Sequence, residues 1–275
     1  MNAIIPSDSS AQTRSSSYLL PVEDSEFLLR DEMRALRFAL EYAKAELLLR
    51  DWGIRSTIIV FGGARVPSPE FIASLPVPQS DEEKIALERL KRQLEWYEAA
   101  REVGRIVSER GGARAPHDRW RDNVIATGGG PGIMEAANRG AWEAGAPSIG
   151  FNITLPLEQQ PNRFSTPELT FRFHYFAMRK MHLAMRANAL IVFPGGFGTM
   201  DELFEILTLR QTGKAPRVPI VLFDADYWHR IVNFEAFVEE GMIAKADLEL
   251  FDFAETPEEV WNTLARHGLR AHADK

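Results

Sequence analysis

Ala189-Leu190-Ile191-Val192-Phe193-Pro194-Gly195-Gly196-Phe197-Gly198-Thr199-Met200-Asp201-Glu202 decides the fold class of this chain. Its first five residues are an unbroken apolar run, the pattern of a strand buried on both faces. A glycine loop follows, and residues 199–212 then read as an amphipathic helix. Strand, loop and helix in that order form half of a parallel α/β unit. Bare backbone N–H groups at a helix N-terminus favour an anion, phosphate above all. Glu202 is placed in the first helical turn beside that loop. A phosphate cradle next to a carboxylate points to chemistry on a phosphorylated small molecule.

The same alternation repeats outward from this unit. Residues 57–61 form a β-branched strand ending in Gly62-Gly63, and residues 81–110 a long helix stopped by Gly111-Gly112. Residues 123–127 form a strand ending in Gly128-Gly129-Gly130. The helix over 131–144 has Pro131 at its start and Gly145 after its end. Further strands are expected at 148–153, 169–173 and 218–223, and further helices at 176–188, 227–240 and 257–267. Residues 67–80 contain four prolines and read as loop. The whole predicts a parallel sheet with helices on both faces.

The ends are read separately. Residues 1–22 are serine-rich, lack periodicity and are expected to form a disordered tail. Residues 24–52 are expected to be a helical extension lying outside the core, its stripe being Leu36, Leu40, Ala43 and Leu47. No linker or repeat divides the rest, so residues 23–275 are expected to be a single domain.

Composition narrows the class of function. A net charge of −7 gives no electrostatic footprint for nucleic acid or an anionic membrane. The absence of cysteine excludes disulfides, thiolate zinc sites and thiol nucleophiles, and fits a reducing compartment. No apolar run approaches the roughly 18 residues that span a bilayer. No basic start leads into an apolar run at the N-terminus, so a cytoplasmic location is expected.

Three strands end in glycine-rich loops: Gly62-Gly63, Gly128 to Gly132, and Gly195 to Gly198. In an open parallel sheet the carboxyl ends of the strands share one edge, so these loops can converge on one ligand. Tight turns needing positive φ are the plainer reading of any one loop. A dinucleotide site is disfavoured, because neither Gly130-Pro131-Gly132 nor Gly196-Phe197-Gly198 leads to a third glycine at the required spacing. No Gly-Lys-Ser/Thr ending exists, so the chain has no nucleotide-triphosphate P-loop.

Individual residues carry competing readings. Thr199 and Glu202 have capping-box spacing, and only the position of Glu202 in the mouth of the loop favours a chemical role. Asp201 reads as a helix-start acid that favours the dipole. Arg179-Lys180, with Arg172 and Arg186 nearby, is either a solvated basic face or an anion and ribose contact. His174 and His182 stand eight apart, which is not a zinc spacing, and no metal site is expected. The polar run Glu158 to Asn162 is a loop, or a lid over the ligand.

Pro194-Gly195-Gly196-Phe197-Gly198-Thr199-Met200-Asp201-Glu202 resembles the Pro-Gly-Gly-x-Gly-Thr-x-x-Glu motif of the Lonely Guy (LOG) family. Gly128 to Asn138 resembles that family's other glycine motif, and Arg179-Lys180 its Arg-Lys pair. The resemblance runs from about residue 56 to about residue 241, and the added N-terminal and long-helix segments look like a longer bacterial branch. It implies a Rossmann-like, doubly wound fold, a homodimer or higher homo-oligomer, and no cofactor. It also implies hydrolysis of the N-glycosidic bond of nucleoside 5′-monophosphates, AMP or N6-prenylated AMP, to free base and ribose 5-phosphate. By the same resemblance Arg179 and Glu202 are the catalytic pair. Gly129, Gly130, Gly132, Glu158, Lys180, Gly195, Gly196, Phe197, Gly198, Thr199 and Thr208 contact the nucleotide. Phe176-Ala177-Met178 replaces the Met-His-x of short members before the Arg-Lys pair, and Gly63 stands where serine is common. Many members carry the older description lysine decarboxylase, which would require pyridoxal phosphate on a lysine; nothing in the sequence argues for that cofactor. The alternatives are a non-catalytic carrier of the same superfamily, including molybdenum-cofactor binders, or a nucleotide sensor.

Overall fold

The computed structural model describes residues 8–154, 160–214 and 218–269. The chain divides into two compact units, Met1–Lys44 and Ala45–Lys275. In the first, Asp24 caps a short helix, Ser25–Leu29, by accepting the Phe27 N–H, and the guanidinium of Arg37 donates to the Leu28 and Arg30 carbonyls. Short turns occupy Ser10–Thr13 and Ser16–Tyr18. The expected helix over 24–52 is therefore broken, with its main part at Arg34–Asp51.

The second unit is built on seven parallel strands. These are β1 Thr57–Phe61, β2 Val124–Thr127, β3 Ser148–Ile153, β4 Thr170–Phe173, β5 Ala187–Val192, β6 Ile220–Phe223 and β7 Asp252–Ala254. They lie in the order β4-β3-β2-β1-β5-β6-β7, with every pairing parallel. The order reverses between β1 and β5, which is a doubly wound, Rossmann-like arrangement with its switch point there.

Both faces are covered, which is why the central strands read as continuous apolar runs. Alternate residues of β1 go to opposite sides. Ile58 and Val60 pack with Tyr97, Val103, Ile133, Ala137 and Val260 from the helices Asp81–Arg110, Ile133–Glu143 and Pro257–Arg266. Ile59 and Phe61 belong to the other cluster, with Leu183, Leu203, Ile206 and Trp228 from the helices Phe176–Met185, Phe197–Gln211 and Ala225–Ile231. The last turns of Arg34–Asp51 join this second cluster through Ala45 and Leu49, while Leu47 is exposed. Leu47 thus belongs to a stripe that does not face the core.

Four local readings are corrected. Residues 67–80 contain a helix, Pro69–Ser74, because Ser68 accepts the Phe71 N–H and Pro69 suits the first helical position. Residues 227–240 are two helices, Ala225–Ile231 and Phe234–Glu239, with Asn233 capping the second. Strand β7 was not expected. The helix after β5 begins at Phe197 rather than at residue 199.

Candidate active site

The switch point places the ends of β1 and β5 side by side, and hydrogen bonds knit three glycine loops together there. The Gly63 N–H donates to the Pro194 carbonyl at 2.9 Å, and the Gly63 carbonyl accepts the Ile133 N–H at 3.2 Å. Gly63 thus joins the loops after β1, β2 and β5. The glycines are required by this closeness. A Cβ on Gly132 would overlap the Gly63 carbonyl oxygen, and one on Gly195 would overlap Thr199 Oγ1. Gly129 and Gly132 also have φ of +70°, where side chains are strained.

Gly196 is the N-cap of the helix Phe197–Gln211, with extended backbone and no side-chain cap. Thr199 is therefore the third helical residue and Glu202 the sixth, in the second turn. The expected capping box does not form. Gly196 and Gly198 face open space, and the Phe197 side chain is 96% exposed. The first N–H groups of a helix have no intrahelical acceptor, so this open end presents donors to an anion.

The helix Phe176–Met185 begins just beyond the carboxyl end of β4, which brings Arg179 to the same edge. Its Nη2 lies 3.9 Å from Glu202 Oε1, and a Cβ on Gly128 would stand 3.0 Å from Nη2. Glu202 is buried and the Arg179 side chain is 12% exposed, and Arg179 Nε has no hydrogen-bond partner among the described residues. A separation of 3.9 Å is an attraction without a hydrogen bond, so neither group saturates the other. Burial pushes the Glu202 carboxyl up to about 7, against the opposing pull of Arg179 and Lys180. Burial also draws the Arg179 guanidinium below its ordinary value, with Glu202 and Asp201 opposing.

The sign of the Glu202 shift makes a stability prediction. Below the ordinary carboxylate pKa the group is protonated folded and unfolded, and the shift contributes nothing. Between there and about 7 the unfolded chain releases a proton that the folded chain keeps, so stability falls as pH rises. Glu202→Gln is expected to unfold at a higher temperature than wild type at pH 8, by several degrees, and at nearly the same temperature at pH 4.5. Thermal melts at the two pH values check this; equal melting at pH 8 would contradict a buried, destabilised carboxylate.

Other expected site residues fall in different places. Lys180 binds Asp201 at 2.8 Å and Glu205 at 2.9 Å. Burial works to lower its pKa, but the hydrogen bonds it donates to these carboxylates outweigh that, and the net shift is upward. Asp201 is thus an ion-pair partner rather than an isolated helix-start acid. Thr208 is exposed, and its hydroxyl donates to the Phe204 carbonyl at 2.7 Å. It lines a separate hollow of about 550 Å³ with Lys180, Phe197, Met200 and Phe204, which neither Arg179 nor Glu202 lines. Arg186 caps the far end of its helix and pairs with Glu46 at 2.6 Å, at the amino end of β5 and away from the glycine edge. His182 is buried against Phe151 and Phe173. Glu158 lies outside the described residues.

The second glycine loop is held by Thr127, Asn138 and Asn162; Asn162, expected in a loop or lid, is instead buried and bonded to the glycine loop. The Asn162 N–H donates to the Gly129 carbonyl and its side-chain amide to the Gly130 carbonyl and to Asn138. Thr127 Oγ1 accepts the Gly129 N–H and donates to Asn138 at 2.7 Å. Buried polar groups in the Gly128–Asn138 motif, at Thr127 before it and at Asn162 were the available signal, since buried amides must be paired.

A family profile described as "Possible lysine decarboxylase" matches residues 134–264. The chain is 28% identical over 149 residues to the cytokinin riboside 5′-monophosphate phosphoribohydrolase LOG3 of Arabidopsis thaliana, covering 53% of this chain and 67% of that protein. It is 28% identical over 153 residues to the Arabidopsis LOG7 protein of the same description, covering 54% of this chain and 64% of that one. The matched region thus spans about two thirds or less of these relatives. The solved molybdenum cofactor binding protein from Rippkaea orientalis is 18% identical with a TM-score of 0.45, over 78% of this chain and 98% of that one. Among the described residues, no helix is long and apolar enough to cross a membrane. The sequence matches bear out the resemblance read from the motifs.

Proposed function

We propose that this chain, which is similar in sequence to proteins of the LOG family, hydrolyses the N-glycosidic bond of nucleoside 5′-monophosphates, releasing the free base and ribose 5-phosphate. The observation that carries the reading is the pairing of the buried Glu202 with the largely covered Arg179, 3.9 Å apart, on the edge where three glycine loops meet. The phosphate sits against the open helix start at Gly196 to Gly198, where backbone donors and the helix dipole favour a dianion.

Cleaving an N-riboside develops positive charge on the sugar, as in glycoside hydrolysis. The Glu202 carboxylate offsets that charge and accepts a proton from the attacking water. A base with a pKa of about 7 suits that transfer at neutral pH. Arg179, with an unused Nε donor, holds an oxygen of the nucleotide. Binding of the remote phosphate aligns the reacting bond, so part of its binding energy appears in the rate.

A lysine decarboxylase reading does not fit this site. A Schiff-base lysine must reach its neutral amine form, and Lys180 is held in its charged form by two carboxylates. The substrate choice is tested with AMP and adenosine, following adenine by chromatography. AMP is expected to be cleaved at least ~100-fold more efficiently, because only AMP carries the anchoring dianion. Equal efficiencies would remove the phosphate from the account.

A further inference from the structure

The loop that opens toward the ligand is fixed from behind by a residue 32 positions away. The Tyr227 hydroxyl donates to the Gly195 carbonyl at 2.6 Å. In a trans peptide the carbonyl and the following N–H point in opposite directions. Turning the Gly195 carbonyl toward Tyr227 therefore turns the Gly196 N–H away from Tyr227. We infer that Tyr227 is a positioning residue that sets the peptide plane between Gly195 and Gly196, and with it the phosphate affinity of the loop. This rests on the phosphate reading given above.

Tyr227 is itself braced. Its N–H donates to Asp224 Oδ1 at 2.9 Å, and Asp224 Oδ2 accepts the Trp96 indole N–H at 2.7 Å. The Trp96 ring meets the Tyr227 ring edge-on, with centroids 5.6 Å apart. Asp224 has φ of +71°, a left-handed backbone that few residues other than glycine adopt. Its N–H bonds to the Ala254 carbonyl at 2.9 Å, which ties the turn to β7. The brace thus links the Asp81–Arg110 helix and the β6 exit to the loop after β5. None of these side chains needs to touch the ligand. A glycine loop has many conformations available, and an external hydrogen bond is what selects one. The hydroxyl is held in a partly buried place, where burial raises its pKa, so it stays a donor at neutral pH.

Tyr227→Phe keeps the ring and its packing on Trp96 and deletes only the donor. Ribose 5-phosphate binding by titration calorimetry is expected to weaken about three- to tenfold, the loss typical of one hydrogen bond. kcat/KM for AMP is expected to fall by at least the same factor, mainly through KM with a smaller loss in kcat, and the melting temperature stays within a few degrees. Unchanged ribose 5-phosphate affinity in the variant, against clear binding by wild type, would overturn the inference. So would a fall in kcat and melting temperature with affinity kept, which marks a purely structural role. A wild-type protein that binds no ribose 5-phosphate would instead overturn the phosphate reading, and this inference with it. The Trp96→Phe variant, which loses the bond to Asp224, is expected to shift affinity in the same direction by a smaller factor.

Discussion

Glu202→Ala is expected to lower kcat for AMP cleavage by about 10²- to 10³-fold, with KM changed by less than about threefold. Under the proposed function the carboxylate acts on charge that exists only in the transition state, while the glycine loop and Arg179 would hold the ground-state nucleotide. Glu202 has no structural duty that explains its burial: the helix starts at Phe197 with Gly196 as its N-cap, so this carboxylate caps nothing. Its burial raises its pKa to about 7 and destabilises the folded chain, a burden that a residue with only a packing role would not carry. Steady-state kinetics on the purified variant check this. A rise in KM at constant kcat would move Glu202 from the chemistry to ground-state binding. The same change should leave the fold intact, because removing a buried, weakly paired carboxylate relieves desolvation.

Gly140→Ala is expected to destabilise the chain by about 3 kcal/mol or more, or to prevent folding. Gly140 lies in the Ile133–Glu143 helix, and an added Cβ would overlap the Arg101 carbonyl oxygen of the Asp81–Arg110 helix. Gly104 makes the reciprocal contact, its Cβ overlapping the Ala137 carbonyl oxygen. Two helix backbones therefore touch directly, and neither obstacle is a side chain that could turn aside. Glycine in a helix interior normally costs about 0.5–1 kcal/mol relative to alanine, so alanine would be favoured here were it not for the crossing. The Ile133–Glu143 helix begins at Gly132, so a shift at the crossing propagates to the loops that Gly63 knits together. Thermal unfolding is expected to show a fall in Tm of about 6–12 °C for a loss of 3 kcal/mol. Gly198→Ala, whose Cβ meets nothing within 4 Å, is the matched control and should melt within a few degrees of wild type.

Most of the sheet was legible because buried parallel strands are short apolar runs bounded by glycine. Strands β1 and β3 and the helix Asp81–Arg110 match the expected bounds residue for residue. The capping box at Ser80 and Glu83 and the glycine at 111 mark the ends of that helix locally. Strand β7 was not legible. It has three residues at the edge of the sheet and is defined by its pairing with β6, which no local pattern reveals. The helix start at Phe197 was missed for a related reason. Its N-cap is Gly196, which has no side chain to announce a cap, while Thr199 and Glu202 imitate one.

The site shows the same division. The family resemblance paired Arg179 with Glu202, and the topology, which puts every strand exit on one edge, brings both to the glycine loops. Thr208 did not join them. Six residues past Glu202 on a helix of 100° per residue, it faces another way, and its hydroxyl turns back to Phe204. Tyr227 carried no local signal and Asn162 only that of a polar loop, because their hydrogen bonds to Gly195 and Gly130 cross 32 residues each. Such pairs exist only once the fold has brought the elements together.

The most direct test of the central claim is a single-turnover experiment, with protein in excess over AMP, quenched over time and resolved by chromatography. Bound AMP is expected to disappear as adenine and ribose 5-phosphate appear in equal amounts, and Glu202→Ala to bind AMP but leave it whole. AMP recovered intact from a saturated wild-type complex would contradict the account and establish a protein that carries or senses a nucleotide without cleaving it.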